Sequence, residues 1–148
     1  MTNNNNTLTA GLVLASRFEN IEIAERTLLD LCERAGHPSD DEYWLVTALR
    51  EAVANAVRHG NKQDPERQVR IEYHIEKSTI TIRIEDEGDG FDPADIPDPT
   101  DPANLLRPSG RGIFYMRQFM ERVEFESLPR GGTAVVMVHD LNKDSDHS

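Results

Sequence analysis

The sequence predicts an α+β fold in which a mainly antiparallel sheet is covered on one face by helices. Three observations lead to it. Val69, Ile71, Tyr73 and Ile75 alternate with polar residues, and so do Ile80, Ile82 and Ile84 immediately afterwards. Two segments with helical apolar spacing come before this pair, and two further strand-like runs close the chain. Strands joined by hairpins and segregated from the helices build such a layer, whereas alternating strands and helices would build a parallel sheet. At 148 residues the chain suffices for one domain with its own core and is too short for two ordinary ones.

Taken in order, "MTNNNNTLTA" is polar and is expected to be flexible over about residues 1–7. "TLTAGLVLASRF" is mixed in period but ends as a strand. Asn20 then opens a segment with Ile21, Ala24, Leu28, Leu31 and Ala35 at helical spacing, closed by Gly36 with Pro38 just beyond. Ser39 and Glu42 form an S-x-x-E capping box ahead of Trp44, Leu45, Ala48, Leu49, Ala52, Val53, Ala56 and Val57, the most regular helical pattern in the chain. "HGNKQDPER" interrupts the period, and the two alternating runs follow with a short turn near Lys77 and Ser78.

Residues 92–111 hold five of the eight prolines and no usable period. A loop this long within one domain is usually functional or disordered, and a lid over a ligand is one common form. A short helix can start at Gly112 and run through Ile113, Met116 and Met120. Val123 and Phe125 begin a strand, "LPRGGT" turns the chain, and "TAVVMVHDL" forms the last strand. The polar tail, about residues 142–148, is expected to fray.

The net charge of −11 argues against direct nucleic-acid binding, which needs clustered Lys and Arg, and suits a basic protein partner better. There is neither a signal-like apolar core near the start nor a run of about 18 apolar residues, so a soluble, unexported, cytoplasmic protein is expected. The single cysteine, Cys32, falls among helix-patterned apolar residues and reads as a packed thiol.

Three clusters can carry chemistry. Glu51, Asn55 and His59 recur at i, i+4, each advancing about 40° around a helix, and form a polar stripe beside an apolar one. Helix-supporting polar pairs would give the same pattern. "IEDEGDGFDP" ends a strand at Asp86 with Gly88 and Gly90 just after it. Such glycines permit close approach of backbone to a ligand and Asp86 can accept from an amine, although a plain glycine-rich turn reads alike. "RPSGRGIF" sets Gly110 and Gly112 before a helix, flanked by Arg107 and Arg111. Free N–H groups at a helix start together with arginine suit a phosphate, and an ordinary helix start is the plainer alternative.

Together, in this order, the clusters suit a nucleotide with its polyphosphate. No G-x-x-x-x-G-K-[ST] is present, no G-x-G-x-x-G opens a helix, and no G-x-S-x-G occurs. His37, His59, His74, His139 and His147 lack a metal-binding spacing.

"EAVANAVRHGN", "EDEGDGF" and "SGRGIFYMRQFM" resemble, respectively, the N box and the first and second glycine boxes of the ATP-binding domain shared by gyrase B, histidine kinases, heat-shock chaperones and MutL proteins. The H-G-N ending and the "GRGIFYMRQFME" helix most resemble the anti-sigma factor serine kinases of bacterial partner-switching systems. The resemblance implies a two-layer α/β sandwich, the Bergerat ATP-binding fold, with ATP and Mg²⁺ as cofactors. Asn55 would help hold Mg²⁺ and Asp86 would receive the adenine amino group. Gly88 and Gly90 would shape the adenine pocket, while Ser109, Gly110 and Gly112 would approach the phosphates beneath the lid.

Glu51 corresponds to the family's base for a substrate serine. Arg107 and Arg111 are both candidates for the phosphate-sensing or partner-sensing arginine. His59 follows the N box and is placed at the cofactor, or serves the helix end. The function implied is an ATP-dependent serine kinase that also binds a sigma factor, releases it to an antagonist protein and acts as a homodimer. A nucleotide-gated binding module without phosphoryl transfer and a freestanding histidine-kinase-type ATPase domain are the alternatives.

Overall fold

The computed structural model describes residues 7–37, 43–61, 64–88 and 120–141. Among these residues five strands form one sheet, antiparallel throughout: β1 (Thr7–Ala15), β2 (Gln68–Glu76), β3 (Thr79–Glu85), β4 (Arg122–Ser127) and β5 (Thr133–Asp140), in the order β1-β2-β3-β5-β4. Helices α1 (Ile21–Arg34) and α2 (Tyr43–Asn55) pack against one another and against the sheet. This is the α+β layer expected.

The alternation in the sequence decides which face the helices cover. On β2 and β3 the side chains of Val69, Ile71, Tyr73, Ile75, Ile80, Ile82 and Ile84 are buried, while their neighbours point away from the helices. Each fully buried side chain of this size contributes about 1.5–3 kcal/mol relative to exposure, so the face cannot be exchanged by a one-residue slip. From the helices, Ala24, Leu28, Cys32, Leu45, Leu49 and Val53 fill the other side of the core. The Tyr73 hydroxyl, buried among these groups, donates to the Ala24 carbonyl at 2.8 Å and so ties β2 to α1. Across the open face, Arg83 pairs with Glu85 at 2.7 Å and Glu126 at 3.1 Å, a solvated ladder that adds little stability.

Helix α1 ends where Gly36 requires it to. Gly36 has φ +88°, its N–H donates to Glu33 O at 3.0 Å, and the His37 N–H donates to Cys32 O at 2.8 Å, the paired bonds of a Schellman cap. At the other end Asn20 does not cap with its side chain. A 3₁₀ turn, Phe18–Asn20, precedes the helix, and Asn20 Nδ2 instead donates back to Ala15 O at 2.8 Å. Lys77 turns the β2–β3 hairpin with φ 59°, as its position implied.

Two elements differ from the sequence reading. Strand β1 occupies all nine residues from Thr7, where the sequence showed a strand only towards the end of this run, and residues 1–6 lie outside the described residues. The regular helix of α2 stops at Asn55 and is followed by a π-helical turn, Ala56–Gly60, closed by the Asn61 N–H on Ala56 O at 2.8 Å. The wider turn breaks the i, i+4 progression, so the His59 backbone does not continue the line set by Glu51 and Asn55.

The Ser39–Glu42 capping box, the proline-rich segment 92–111, residues 112–119 of the short helix and the tail 142–148 lie outside the described residues. Met120, the last residue of that helix pattern, is buried in the core. Among the described residues no helix is long and apolar enough to cross a membrane.

Candidate functional site

Two of the three sequence clusters fall at least partly within the described structure, and one buried amide joins them. Glu51 and Asn55 lie one turn apart on α2, at the margin between its buried stripe and its exposed side. Glu51 is partly buried, and this desolvation raises its carboxyl above the ordinary glutamate value; the Arg58 guanidinium opposes the shift. A carboxylate so placed is a stronger proton acceptor than one on the surface. Arg58 itself sits over the Phe18 ring, 5.5 Å from its centroid.

Asn55 carries the more informative anomaly. Its Oδ1 is buried and has no hydrogen-bond partner among the described residues. An orphaned buried acceptor costs about 1–3 kcal/mol, which a ligand supplying a cation or a donor would recover. A hard amide oxygen suits Mg²⁺, which commonly takes one or two protein oxygens and completes its shell with phosphates and water. The residue therefore fits the metal that the sequence resemblance implies.

Asp86 follows directly after β3, 7 % exposed. Its Oδ1 accepts from the Gly88 N–H at 3.0 Å and from the Thr133 N–H at 3.1 Å, while its own N–H donates to Thr133 O at 2.9 Å. Burial pushes the carboxyl up from the usual aspartate range. The two backbone N–H groups and the charge of Arg67 pull it back towards the ionised form. With Oδ1 committed to the backbone, Oδ2 has no hydrogen bond among the described residues and can accept from a ligand.

Gly132 allows this arrangement. It has φ +97°, and a Cβ there would stand 2.2 Å from the Asp86 carbonyl oxygen and 3.3 Å from its Oδ1. At Gly131, with φ +93°, a Cβ would stand 3.4 Å from the Gly88 carbonyl oxygen, an ordinary contact distance. The "LPRGGT" turn thus presses backbone to backbone on the Asp86–Gly88 turn, a role its local sequence does not announce. Next to it, Thr133 Oγ1 is buried without a partner, and so is Arg67 Nη1 among the described residues. The sequence reading used Asn61 only as the end of the H-G-N motif and Gly131, Gly132 and Thr133 only as part of a turn, gave none of them a place at the site, and passed over Arg67. A double glycine inside an otherwise regular hairpin was the available signal.

Asn61 is fully buried. Its Nδ2 donates to Ser16 Oγ at 3.1 Å and to Gln68 O at 3.0 Å, and its Oδ1 accepts the Glu87 N–H at 2.7 Å. It thereby links the end of β1, the start of β2 and the turn holding Asp86 to the π-helical turn after Asn55.

Of the other residues read as candidates, His59 is described only in its backbone, within the π-helical turn. Gly90, Arg107, Ser109, Gly110, Arg111 and Gly112 lie outside the described residues. His74 is exposed on β2, and His139 is a buried strand residue whose Nδ1 is 3.1 Å from Glu121 Oε1.

Residues 14–139 match the histidine kinase-like ATPase domain family. Among curated proteins, the chain is 32% identical to the anti-sigma F factor of Oceanobacillus iheyensis over 136 residues, 89% of this chain and 92% of that one. It is 37% identical to the anti-sigma F factor of Clostridium beijerinckii over 131 residues, 86% and 90% of the two chains. Identity to the serine-protein kinase RsbW of Listeria innocua is 27% over 138 residues, 89% and 87% of the two.

Proposed function

Since the chain belongs to the histidine kinase-like ATPase domain family, we propose that it is an ATP-dependent serine protein kinase that also holds a sigma factor, in the manner that the names of its relatives indicate. The observation that carries the reading is the pairing on α2 of a half-buried, proton-seeking Glu51 with the buried Oδ1 of Asn55 one turn later, which has no partner among the described residues. Oxygen donor and carboxylate base side by side are what transfer of a phosphoryl group to a hydroxyl requires.

In this mechanism Asp86 Oδ2 accepts from the adenine amino group, while Oδ1 stays fixed by Gly88 and Thr133. Thr133, whose N–H holds the same carboxylate, has a buried Oγ1 with no partner among the described residues that can complete the base contacts directly or through water. Asn55 Oδ1 would hold Mg²⁺, which when bound neutralises charge on the phosphates. Glu51 takes the proton of an incoming serine hydroxyl as its oxygen attacks the terminal phosphorus, and ADP leaves with the electron pair of the broken P–O bond. Phosphoryl transfer depends chiefly on positioning and charge, so loss of Asn55 should be felt in binding and loss of Glu51 in turnover.

The serine belongs to an anti-sigma factor antagonist, which in its unphosphorylated form competes for the kinase and frees the sigma factor. The net charge of −11 suits a sigma factor with basic surfaces. On this reading the protein works in the cytoplasm as a homodimer, as the sequence resemblance implies, and makes no contact of its own with nucleic acid. Incubation of purified protein with labelled ATP and candidate antagonists tests the proposal. Label on a serine of one antagonist, lost with Glu51→Gln, supports the kinase. Nucleotide-dependent capture of the partner with no label would replace it by a binding module.

A further inference from the structure

We propose that Asn61 is a positioning residue for nucleotide selectivity, fixing the Asp86 turn at a set distance from the helix end that carries Asn55. The proposal rests on the nucleotide reading given above. A nucleotide has a fixed span from its base to its phosphates, so a site that reads both ends must hold its two readers at that span. The Asp86 turn is held from two sides. On the sheet side, the Thr133 carbonyl accepts the Asp86 N–H at 2.9 Å and the Thr133 N–H donates to Asp86 Oδ1 at 3.1 Å, with Gly132 packed against the Asp86 carbonyl. On the helix side, Asn61 Oδ1 accepts the N–H of Glu87, the residue next to Asp86, at 2.7 Å.

The amide can do this because every other polar group of Asn61 is also committed. Its backbone N–H closes the π-helical turn on Ala56 O, its carbonyl accepts from the Asp64 N–H at 3.0 Å, and its Nδ2 is shared between Ser16 Oγ and Gln68 O. A side chain so fully bonded and buried has one orientation, and it transmits that orientation to Glu87. Glu87 returns the contact from the other direction, its Oε1 accepting the Gln68 N–H at 2.7 Å. The π-helical turn itself belongs to this device. It shifts the chain by one residue after Asn55 so that position 61 reaches the turn beyond β3.

Adenine offers an amino donor to Asp86 and guanine offers an oxygen at the same place. The ratio of GTP to ATP dissociation constants therefore reports how well Asp86 is aimed, and it does not depend on the fraction of folded protein. The test is calorimetric titration with ATP and with GTP, each with Mg²⁺, on the full chain and three variants, all well below their unfolding temperatures.

Asn61→Ala, which frees the Glu87 N–H, is expected to lower the ratio by about tenfold or more, the scale of one well-placed hydrogen bond. Tyr73→Phe loses a buried hydrogen bond on the far side of the core and should keep the ratio within about twofold while unfolding at lower temperature. Asn61→Asp keeps an oxygen near Glu87 but replaces the donor to Gln68 O by an acceptor, so the side chain loses its fixed orientation and the ratio should fall as in Asn61→Ala.

A wild-type ratio in Asn61→Ala overturns the proposal, as does an equal loss in Tyr73→Phe. If Asn61→Ala does not fold, a wild-type ratio in Asn61→Asp overturns it. Failure of the wild-type chain to bind either nucleotide would remove the nucleotide reading itself, a result distinct from all of these.

Discussion

Replacing Gly132 by alanine should damage the protein far more than the same change at Gly36, although both glycines adopt left-handed backbone. At Gly36, φ is +88° and a Cβ would meet nothing within 4 Å. The cost there is the left-handed conformation alone, about 1–2 kcal/mol. At Gly132, φ is +97° and the Cβ would stand 2.2 Å from the Asp86 carbonyl oxygen. An ordinary non-bonded separation is roughly 3.5 Å, so the two backbones must part by more than about 1 Å.

That movement breaks or stretches the 2.9 Å and 3.1 Å bonds between Asp86 and Thr133 and adds an overpacking cost of about 1–3 kcal/mol to the conformational one. At about 3 °C per kcal/mol for a chain of this size, Gly36→Ala should lower Tm by about 3–6 °C and Gly132→Ala by about 6–15 °C. Thermal unfolding by circular dichroism reads both. Calorimetry on the folded variants should find ATP binding unchanged in Gly36→Ala and weakened at least tenfold in Gly132→Ala, because a base-reading carboxylate displaced by about 1 Å no longer meets its donor. Equal Tm shifts in the two variants, or normal ATP affinity in Gly132→Ala, would refute the close-contact argument.

Glu51→Gln should retain ATP affinity but lower phosphoryl transfer by roughly 10²–10⁴-fold, the usual range for a positioned base, measured in single turnover with the serine substrate. The same variant should be more stable than wild type at neutral pH. Burial raises the Glu51 carboxyl in the folded state, so the folded chain holds its proton more tightly than the unfolded one and stability falls as pH rises through that window. The Tm gap between the glutamine variant and wild type should therefore open as pH rises from below the ordinary glutamate value to above the folded one, and a gap independent of pH would contradict this. Asn55→Ala should weaken ATP binding in Mg²⁺ by about tenfold or more while leaving binding in EDTA nearly unchanged. A loss of equal size in both conditions would remove the metal role.

The β2–β3 hairpin, both helices and the Gly36 cap were legible because each depends on local spacing or on one residue's backbone freedom. The full length of β1 was not. Its exposed positions are Thr7, Thr9, Gly11, Val13 and Ala15, too apolar to alternate visibly with Leu8, Ala10, Leu12 and Leu14. The π-helical turn leaves no periodic trace, since it changes the stacking of residues without changing their types. Glu51, Asn55 and Asp86 could be named as candidates from the motifs they stand in. The residues that hold them could not, because Thr133 meets Asp86 across 47 positions and Asn61 meets Glu87 across 26. Each supporting residue has an adequate local explanation, as turn glycine or helix-end amide, and that explanation hides the distant contact.

The most direct measurement of the central claim is calorimetric titration of ATP with Mg²⁺ into the wild-type chain and Asp86→Asn. Asparagine has nearly the same shape and can still accept from Gly88 and Thr133 through one oxygen, but it turns a second donor towards the adenine amino group. The account predicts saturable binding to the wild type and its loss in the variant, with little change in Tm. Equal binding by the two proteins, or none by the wild type at millimolar ATP, would contradict it.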